Sequence, residues 1–232
     1  MCEDLQKVIA IDGPSGSGKS TVAKRVAEEL KLLYIDTGSM FRAIGYVCHQ
    51  QNIPLEDDEK LKKFLESLKM EYSPKAEVLI AINGEDLTHK IRAHEVSSLA
   101  SLVSGQPVIR NFLLDFQRKL AEKRTCVMEG RDIATVVFPR AFCKFFITAS
   151  LEVRSQRRFL DLRQKGHKHV SYETIVNDQK KRDESDTQRE VAPLKQASDA
   201  FLVDTTEKSF EEVVDFVCEY VLKRAREKNI NL

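Results

Sequence analysis

The sequence lacks the features by which membrane-spanning and secreted proteins are usually recognised. No apolar stretch approaches the roughly 20 residues that a transmembrane helix needs. The first residues, Met1 to Asp4, carry acidic side chains ahead of the first apolar run and show no signal-peptide pattern. We therefore expect no association with a membrane and a cytoplasmic location.

Cysteine is sparse, odd in number and scattered along the chain. None of the cysteines belongs to a Cys-x-x-Cys pair, so neither a disulfide framework nor a zinc site is indicated. We expect reduced thiols, several of which fill the core. The five cysteines are Cys2, Cys48, Cys126, Cys143 and Cys218.

An excess of charge of one sign is also missing. Lysine and arginine number 37 against 36 aspartates and glutamates, which gives a formal net charge of +1. This balance gives no reason to expect nucleic acid as a partner. The length and the absence of repeats, linkers and low-complexity segments predict one domain over residues 1–232, and we expect a monomer.

The first motif in the chain is a glycine-rich loop, Gly13-Pro14-Ser15-Gly16-Ser17-Gly18-Lys19-Ser20, which matches the pattern Gly-x-x-x-x-Gly-Lys-Ser/Thr. The apolar run 8–11 before it predicts a buried strand, and apolar residues spaced three and four apart over 22–30 predict a helix. Backbone amides of such a loop converge on phosphate at a helix N-terminus. The loop therefore predicts nucleotide binding, with Lys19 at the β- and γ-phosphates and the Ser20 hydroxyl on Mg²⁺.

Strands and helices alternate through most of the remaining chain. Apolar runs at 32–36, 125–128, 144–148 and 201–204 predict strands, the first of them followed by a turn over 36–39. Helical periodicity is found at 41–47, 56–69, 93–103, 107–123, 151–165 and 172–189, and Ser209 with Glu212 predicts a capping box for a last helix. This alternation predicts an α/β fold with a parallel sheet, whose ligands gather at the carboxyl ends of the strands.

Two regions depart from this alternation. Short strand patterns at 70–72 and 78–82, followed by the turn signal Asn83-Gly84, predict a small antiparallel piece within an insertion of about 38–111. The polar, arginine-rich helices within about 152–190 are candidates for a lid. A lid is expected in a kinase, because water at the transferring phosphate would hydrolyse ATP.

The glycine loop alone does not separate a kinase from a GTPase switch or a motor ATPase. The guanine-reading pattern Asn-Lys-x-Asp is absent, which disfavours a GTPase. Arginines stand near the ends of predicted strands and in the polar helices, where positive charge can offset that of a transferring phosphoryl group. These arginines are Arg42, Arg131, Arg154, Arg158, Arg182 and Arg189. A small-molecule kinase is favoured, and a slow regulatory switch remains the alternative.

Several further motifs make the interpretation more specific. They are Ile11-Asp12-Gly13, Asp36-Thr37-Gly38 with Arg42, Ile91-Arg92-x-x-Glu95-Val96, Gly130-Arg131-Asp132 with Thr135-Val136-Val137-Phe138-Pro139, and Arg182-Asp183 through Arg189-x-Val191-Ala192-Pro193-Leu194. With these motifs, the chain resembles the bacterial cytidylate (CMP) kinases from about residue 8 to the last helix.

The resemblance implies a fold and a reaction. The fold is a P-loop type, five-stranded parallel sheet flanked by helices, with a small antiparallel insertion that binds the monophosphate and a helical lid. The reaction is Mg²⁺-dependent phosphoryl transfer from ATP to CMP or dCMP, which gives ADP and CDP or dCDP. A kinase for another monophosphate, UMP or AMP, remains an alternative.

The resemblance also implies roles for individual residues. It assigns the ATP phosphates to the glycine loop and Thr21, the monophosphate to Thr37, Arg42 and Arg131, the cytosine to Ser101, Arg110 and Asp132, the sugar to Arg182 and Asp186, and the phosphates also to Arg189. It places Arg154, Arg157 and Arg158 in the lid. The candidate catalytic residues are Lys19, Arg131, Asp132 and Arg158.

Base chemistry supports cytosine. An arginine that reads the O2 and N3 acceptors, with a carboxylate that accepts from N4, fits cytosine and opposes uracil. Arg182 and Asp186 leave two interpretations open, since their i, i+4 spacing is also that of an exposed salt bridge worth under about 1 kcal/mol. The chain also departs from the usual Asp-Gly-Arg-Asp-x-Gly-Thr pattern at Glu129 and Ala134, and Arg140 replaces a commonly acidic residue.

Overall fold

The computed structural model describes residues 6–73, 79–122, 124–164, 166 and 170–232, and only the backbone of residue 94. Cys2, the start of the predicted strand at Val78 and the predicted helix ends at Lys123 and Lys165 lie outside the described residues. The chain forms two compact units, one of Met1–Tyr34 with Lys123–Leu232 and one of Ile35–Glu122. None of the described helices is long and apolar enough to cross a membrane.

The elements are, in chain order, β1 (Gln6–Asp12), α1 (Lys19–Glu29), β2 (Leu33–Asp36), α2 (Thr37–Gln50), α3 (Asp58–Glu66), β3 (Met70–Tyr72), β4 (Ile80–Ile82), β5 (Glu85–Asp86), a 3₁₀ turn (Lys90–Arg92), α4 (His94–Ser104), α5 (Pro107–Ala121), β6 (Cys126–Gly130), a π-helical turn (Ile133–Val137), β7 (Ala141–Thr148), α6 (Leu151–Gln164), α7 (Tyr172–Gln188), β8 (Phe201–Asp204) and α8 (Phe210–Glu227).

The main sheet has five parallel strands in the order β2-β6-β1-β7-β8, which confirms the predicted fold class. Its central strand β1 is buried from Val8 to Asp12, as expected for a strand covered on both faces. Asp12 lies opposite Gly130 of β6 and Phe146 of β7. The carboxyl ends of these strands therefore meet at one edge, where the glycine loop begins.

Helices α1 and α8 contribute to the core of this unit. Val22 and Val26 of α1 and Val217 of α8 pack into one cluster with Ile9 and Phe145 of the sheet. The apolar spacing of three and four in α1 places these side chains on one face, as predicted. The capping box that opens α8 is also confirmed, since Ser209 and Glu212 each accept a hydrogen bond from the other's backbone amide.

The second unit holds helices α2 to α5 and an antiparallel three-stranded sheet, β3-β4-β5. Asn83 and Gly84 both have positive φ angles, 53° and 80°, and they form the turn between β4 and β5. The antiparallel piece and its hairpin are thus as the sequence predicted.

Two predicted boundaries are wrong for identifiable reasons. The expected turn over 36–39 is the first turn of α2, because Asp36 caps this helix and accepts a hydrogen bond from the Ser39 amide at 3.0 Å. The strand expected to begin at residue 144 begins at Ala141. The charge of Lys144 does not interrupt β7, because its Nζ donates to the Pro139 carbonyl and to the Asp199 carboxylate.

Candidate active site

The glycine loop lies between β1 and α1, and its shape depends on glycine. Gly13 has a φ of 154°, and a Cβ there would collide with the carbonyl oxygen of Ile147. Gly18, at φ 85°, is the N-cap of α1, which begins at Lys19. Because the first amides of a helix have no partner within the helix, the start of α1 presents donors suited to an anion. Lys19 is buried beside the loop, and its Nζ donates to the Pro14 carbonyl at 3.4 Å.

A carboxylate from the neighbouring strand reaches the end of this loop. The Ser20 hydroxyl donates to Oε2 of Glu129 at 2.7 Å, and the Tyr34 hydroxyl donates to Oε1 at 2.7 Å. Lys19 Nζ lies 3.9 Å from Oε2. Glu129, which replaces the aspartate usual in the resembling family, is therefore held at both oxygens and directed at Ser20.

This oxygen donor set has the chemistry that Mg²⁺ prefers. The ion favours hydroxyl and carboxylate oxygens and usually takes only one or two protein ligands beside water and substrate phosphate. Ser20 and Glu129 supply such oxygens next to the phosphate loop. Among the described residues, no group of three or more His, Cys, Asp or Glu side chains is arranged so that it could hold a metal ion by itself.

Asp12 fastens the end of β1 to the turn that follows β6. Its carboxylate is buried and accepts hydrogen bonds from the amides of Ile133 at 2.9 Å and Ala134 at 2.8 Å. Burial raises the pKa of Asp12 to about 7, although both hydrogen bonds act in the opposite direction. Ala134 has a negative φ, so its departure from the usual glycine is accommodated without strain. The contact fixes the chain just after Arg131 and Asp132.

A buried charge network joins β6 to α7. Arg131 Nε donates to Oδ2 of Asp186 at 2.8 Å, and Nη1 of Arg189 lies 3.5 Å from Oδ1. Burial alone would raise the pKa of Asp186, but the charges of Arg131, Arg182 and Arg189 outweigh it and hold that pKa below its usual value. For the Arg131 guanidinium, burial acts to lower the pKa, but Asp186 outweighs it and the pKa is raised.

This network argues against one interpretation of the i, i+4 spacing of Arg182 and Asp186, namely an exposed salt bridge between them. Asp186 is only 4% exposed, so it does not form an exposed surface pair with Arg182. Its charge is instead compensated inside the unit by arginines from two separate segments of the chain. Such an arrangement keeps a cluster of guanidinium groups in place, which is what a site for phosphate requires.

The segment after α7 positions Arg189. Ala192 has a φ of 52°, and its carbonyl accepts a hydrogen bond from Arg189 Nε at 2.7 Å. The Leu194 amide donates back to the Asp186 carbonyl at 2.7 Å. The Val-Ala-Pro-Leu motif therefore folds back on the end of the helix and orients the side chain of Arg189.

The three arginines of the predicted lid differ in their surroundings. Arg154 is buried and donates to the carbonyls of Ala149 and Ser15 and, at 2.7 Å, to Asp183 Oδ2. Arg157 donates to Thr205 through Nη1 at 3.0 Å and Nη2 at 2.9 Å, and its Nη1 lies 3.5 Å from the Ser17 carbonyl. Arg154 therefore fastens α6 to the glycine loop, and Arg157 fastens it to the loop and to Thr205.

Arg158 is different, because its partner Asp161 is on the same helix and both side chains are about one third exposed. The sequence motif did not distinguish these three arginines, whereas their contacts do.

The second unit contains the other predicted site residues. Arg42 donates to Oδ2 of Asp36 at 2.8 Å, at the N-terminus of α2, where Thr37 is buried. Arg110 of α5 is buried, and its guanidinium lies over the ring of Phe41 at 5.3 Å from the ring centroid. Ser101 of α4 is half-buried. An arginine held by a carboxylate and one held by an aromatic ring are both pre-oriented for an anion or a planar base.

Comparison with known proteins identifies the chain's family. The model of the cytidylate kinase family matches residues 9–223. The chain belongs to the cytidylate kinase family. It is 46% identical over 214 residues to a cytidylate kinase of Carboxydothermus hydrogenoformans, which covers 92% of this chain and 96% of that protein. It is 43% identical over 219 residues to the cytidylate kinase of Bacillus subtilis, with 94% and 97% covered.

The solved structures resemble this cytidylate kinase family member in fold alone. A crystal structure of an uncharacterised protein from Eubacterium ventriosum aligns with a TM-score of 0.50 at 16% sequence identity. The alignment covers 94% of this chain and 99% of that one.

Several site contacts in this family member were not predicted from sequence. Tyr34 lay within a predicted strand, and nothing in an apolar run shows which carboxylate a hydroxyl will reach. Asp183 belonged to the Arg182-Asp183 motif but had no assigned role. These residues acquire their partners only through the packing of α6, α7 and the sheet, so no local pattern could have identified them.

Proposed function

We propose that this protein transfers a phosphoryl group from ATP to CMP or dCMP and gives ADP with CDP or dCDP. The observation that carries the proposal is the combination of its family membership with a glycine loop whose Lys19 and Ser20 lie beside Glu129. The loop suits a triphosphate, and the family supplies the acceptor. The proposal extends to both the ribose and the deoxyribose monophosphate.

The donor side of the reaction uses the glycine loop. Its amides and Lys19 would hold the phosphates of ATP, and Ser20 with Glu129 would hold Mg²⁺. When bound, the ion would supply positive charge that offsets the charge developing on the phosphate oxygens. Loop residues Gly13, Pro14, Ser15, Gly16, Ser17 and Gly18, together with Thr21, complete the phosphate cradle.

Each assignment on the acceptor side is a proposal. Thr37, Arg42 and Arg131 would hold the monophosphate, Ser101, Arg110 and Asp132 the cytosine, and Arg182 with Asp186 the sugar, while Arg189 would contact phosphate. Phosphoryl transfer relies mainly on positioning and charge, so a dedicated general base is not required. Asp132 would then serve mainly in recognition of the base.

We also propose that the protein acts as a monomer in the cytoplasm. All the residues assigned to the site belong to one chain. The cysteines that the structure describes, Cys48, Cys126, Cys143 and Cys218, are free thiols. Burial raises the pKa of Cys126 and Cys143 to about 12, so these two thiols are unreactive and fill space in the core. Light scattering at assay concentrations would test the assembly state.

The function can be tested by measuring ADP formation from ATP and Mg²⁺ in the presence of each nucleoside monophosphate in turn. We expect rapid ADP formation that depends wholly on added CMP or dCMP. Comparable turnover of UMP or AMP would favour a kinase of different specificity. Slow ATP hydrolysis that no monophosphate stimulates would favour a regulatory switch and contradict the proposal.

The base-reading role of Arg110 gives a sharper test. Replacing Arg110 with Met removes the donors to cytosine while keeping a long side chain over Phe41. We expect kcat/KM for CMP to fall far more than that for UMP, because hydrogen-bonding sites discriminate bases by factors up to about 10⁴. Arg118→Met, on the exposed side of the same helix, is the matched control. Equal losses for CMP and UMP would mean that Arg110 positions phosphate or supports the fold.

A further inference from the structure

One buried polar side chain next to the glycine loop has no hydrogen-bond partner in the part of the chain that the structure describes. Gln179, on α7, is 5% exposed, and neither Oε1 nor Nε2 of its amide is paired. Burial of an unpaired amide is unfavourable, and folded proteins contain few such groups. A polar side chain kept in such a place therefore points to a partner that is not a protein group.

The amide of Gln179 is directed at the phosphate loop. Gly16 has a φ of 77°, and a Cβ at this glycine would lie 2.8 Å from Nε2 of Gln179. The nitrogen, which is the donor end of the amide, therefore rests against the backbone of the loop. Because Gly16 has no side chain, the amide of Gln179 can lie against the backbone of the loop at this point.

The rest of the helix face shows that Gln179 is an exception. Asp183 of α7 pairs with Arg154, which also donates to the Ser15 carbonyl of the loop at 3.1 Å. Nearly two helical turns beyond Gln179, Asp186 pairs with Arg131. The buried face of α7 thus presents polar side chains to other elements of its own unit. Gln179 differs from Asp183 and Asp186 because both polar atoms of its amide are unpaired among the described residues.

We propose that Gln179 is a further nucleotide-binding residue, whose Nε2 donates a hydrogen bond to the phosphates of ATP held by the glycine loop. Arg154 already pairs with Asp183, and Arg157 already donates to the carbonyls of Ser17 and Thr205. A neutral amide donor therefore suits the position beside the loop. Phosphate oxygens would supply the acceptor that the ligand-free protein lacks. This inference rests on the proposed function, because it requires ATP as the ligand.

The test compares the wild type with Gln179→Leu, which keeps the volume and removes both polar atoms. We expect ligand-free Gln179→Leu to melt at the same temperature as the wild type or higher, since an unpaired buried amide is gone. We expect its Kd for ATP and for ADP, measured by titration calorimetry, to rise about tenfold, the effect of one hydrogen bond to a charged acceptor. The KM for CMP should stay unchanged.

Two other variants complete the design. Gln179→Met keeps the unbranched shape and should behave like Gln179→Leu, which guards against poor packing of the branched side chain. Gln188→Leu makes the same chemical change at an exposed position at the end of α7 and should alter neither melting nor ATP binding.

Three results would overturn the inference or its basis. Unchanged ATP and ADP affinity in both variants would show that Gln179 is only an unpaired interior residue. A lower melting temperature of both ligand-free variants would show that the amide already has a partner, and would also refute the proposal. Failure of the wild type itself to bind ATP would refute the proposed function instead.

Discussion

Asp186→Asn is the substitution for which the structure gives the clearest expectation. Asn has nearly the same shape as Asp but no charge, so it removes the group that compensates Arg131 and Arg189. Arg131 Nε lies 2.8 Å from Asp186, and the side chains of Asp186 and Arg189 are 6% and 7% exposed. The variant therefore leaves these guanidinium groups without the carboxylate that pairs with both of them.

The size of the effect follows from this burial. Removal of one partner from a buried ion pair costs about 3–5 kcal/mol, because the remaining charge is left uncompensated. For a chain of this length, each kcal/mol lowers the Tm by about 2–4 °C. We therefore expect a fall of about 6–20 °C at neutral pH. An exposed i, i+4 pair of Arg182 and Asp186 would instead cost under about 1 kcal/mol.

The pH dependence gives a second, independent check. The folded-state pKa of Asp186 is held below its unfolded value, so its contribution is complete above about pH 4 and is lost as pH falls through the folded value. The difference in Tm between the wild type and Asp186→Asn should thus narrow below about pH 4. Scanning calorimetry from pH 3 to pH 8 measures both effects.

Asp178→Asn is the matched control, because Asp178 lies on the same helix with an exposed side chain. It should change the Tm by no more than about 1–2 °C, as exposed substitutions usually do. If Asp186→Asn melts within this range of the wild type at neutral pH, the buried network does not stabilise the protein, and the reasoning above is refuted.

Two further predictions concern the carboxylates of β1 and β6. Tyr34→Phe removes a donor to Glu129, so ATP binding measured against Mg²⁺ concentration should weaken by about fivefold, the effect of one hydrogen bond. In a Glu129→Asp background, the shorter side chain cannot reach both partners, and Tyr34→Phe should have no effect. An equal effect in that background would contradict the pairing of Tyr34 with Glu129. Burial raises the pKa of Asp12 to about 7, so Asp12 binds a proton more tightly in the folded protein, and its contribution to the free energy of unfolding falls as pH rises from about 4 to 7. The Asp12→Asn variant cannot ionise there, so its free energy of unfolding, measured by urea titration at pH 5 to 8, should depend less on pH. An unchanged pH dependence would mean that other groups determine it.

Local patterns were sufficient for the elements that depend on local physics. The buried strand before the glycine loop, the helix after it and the last strand, Phe201–Asp204, all lie where apolar runs and periodicity placed them. The glycine loop was recognisable because its residues act together within one short segment. The function of the loop depends on backbone conformations that favour glycine, so the sequence alone was enough to identify the loop.

Helix ends were less predictable, because a capping side chain decides them and periodicity does not. The helix expected over 56–69 is α3, Asp58–Glu66. Asp57 caps it by accepting from the Lys60 amide at 3.0 Å, and it was not recognised among several acidic neighbours. The turn predicted over 36–39 was wrong for the same reason, because the capping side chain of Asp36 sets the start of α2 and the apolar periodicity does not show it.

The contacts that complete the site could not be predicted, because they join distant segments. Ser20 and Glu129 are 109 residues apart, and Arg131 and Asp186 are 55 apart. Family resemblance named most of these residues but not their partners. Only strand order and helix packing bring the carboxylate of β6 to the loop and the arginine that follows β6 to α7.

The same packing separates the three arginines of the predicted lid. To reach a transferring phosphoryl group, Arg154 would have to leave two carbonyls and the carboxylate of Asp183. Arg157 would have to leave Thr205 and the loop. Among the described residues, Arg158 would leave Asp161, in a partly exposed i, i+3 pair that contributes at most about 1 kcal/mol. We therefore propose Arg158 as the arginine that can move to the reacting phosphate, because the other two hold the helix on which it would move.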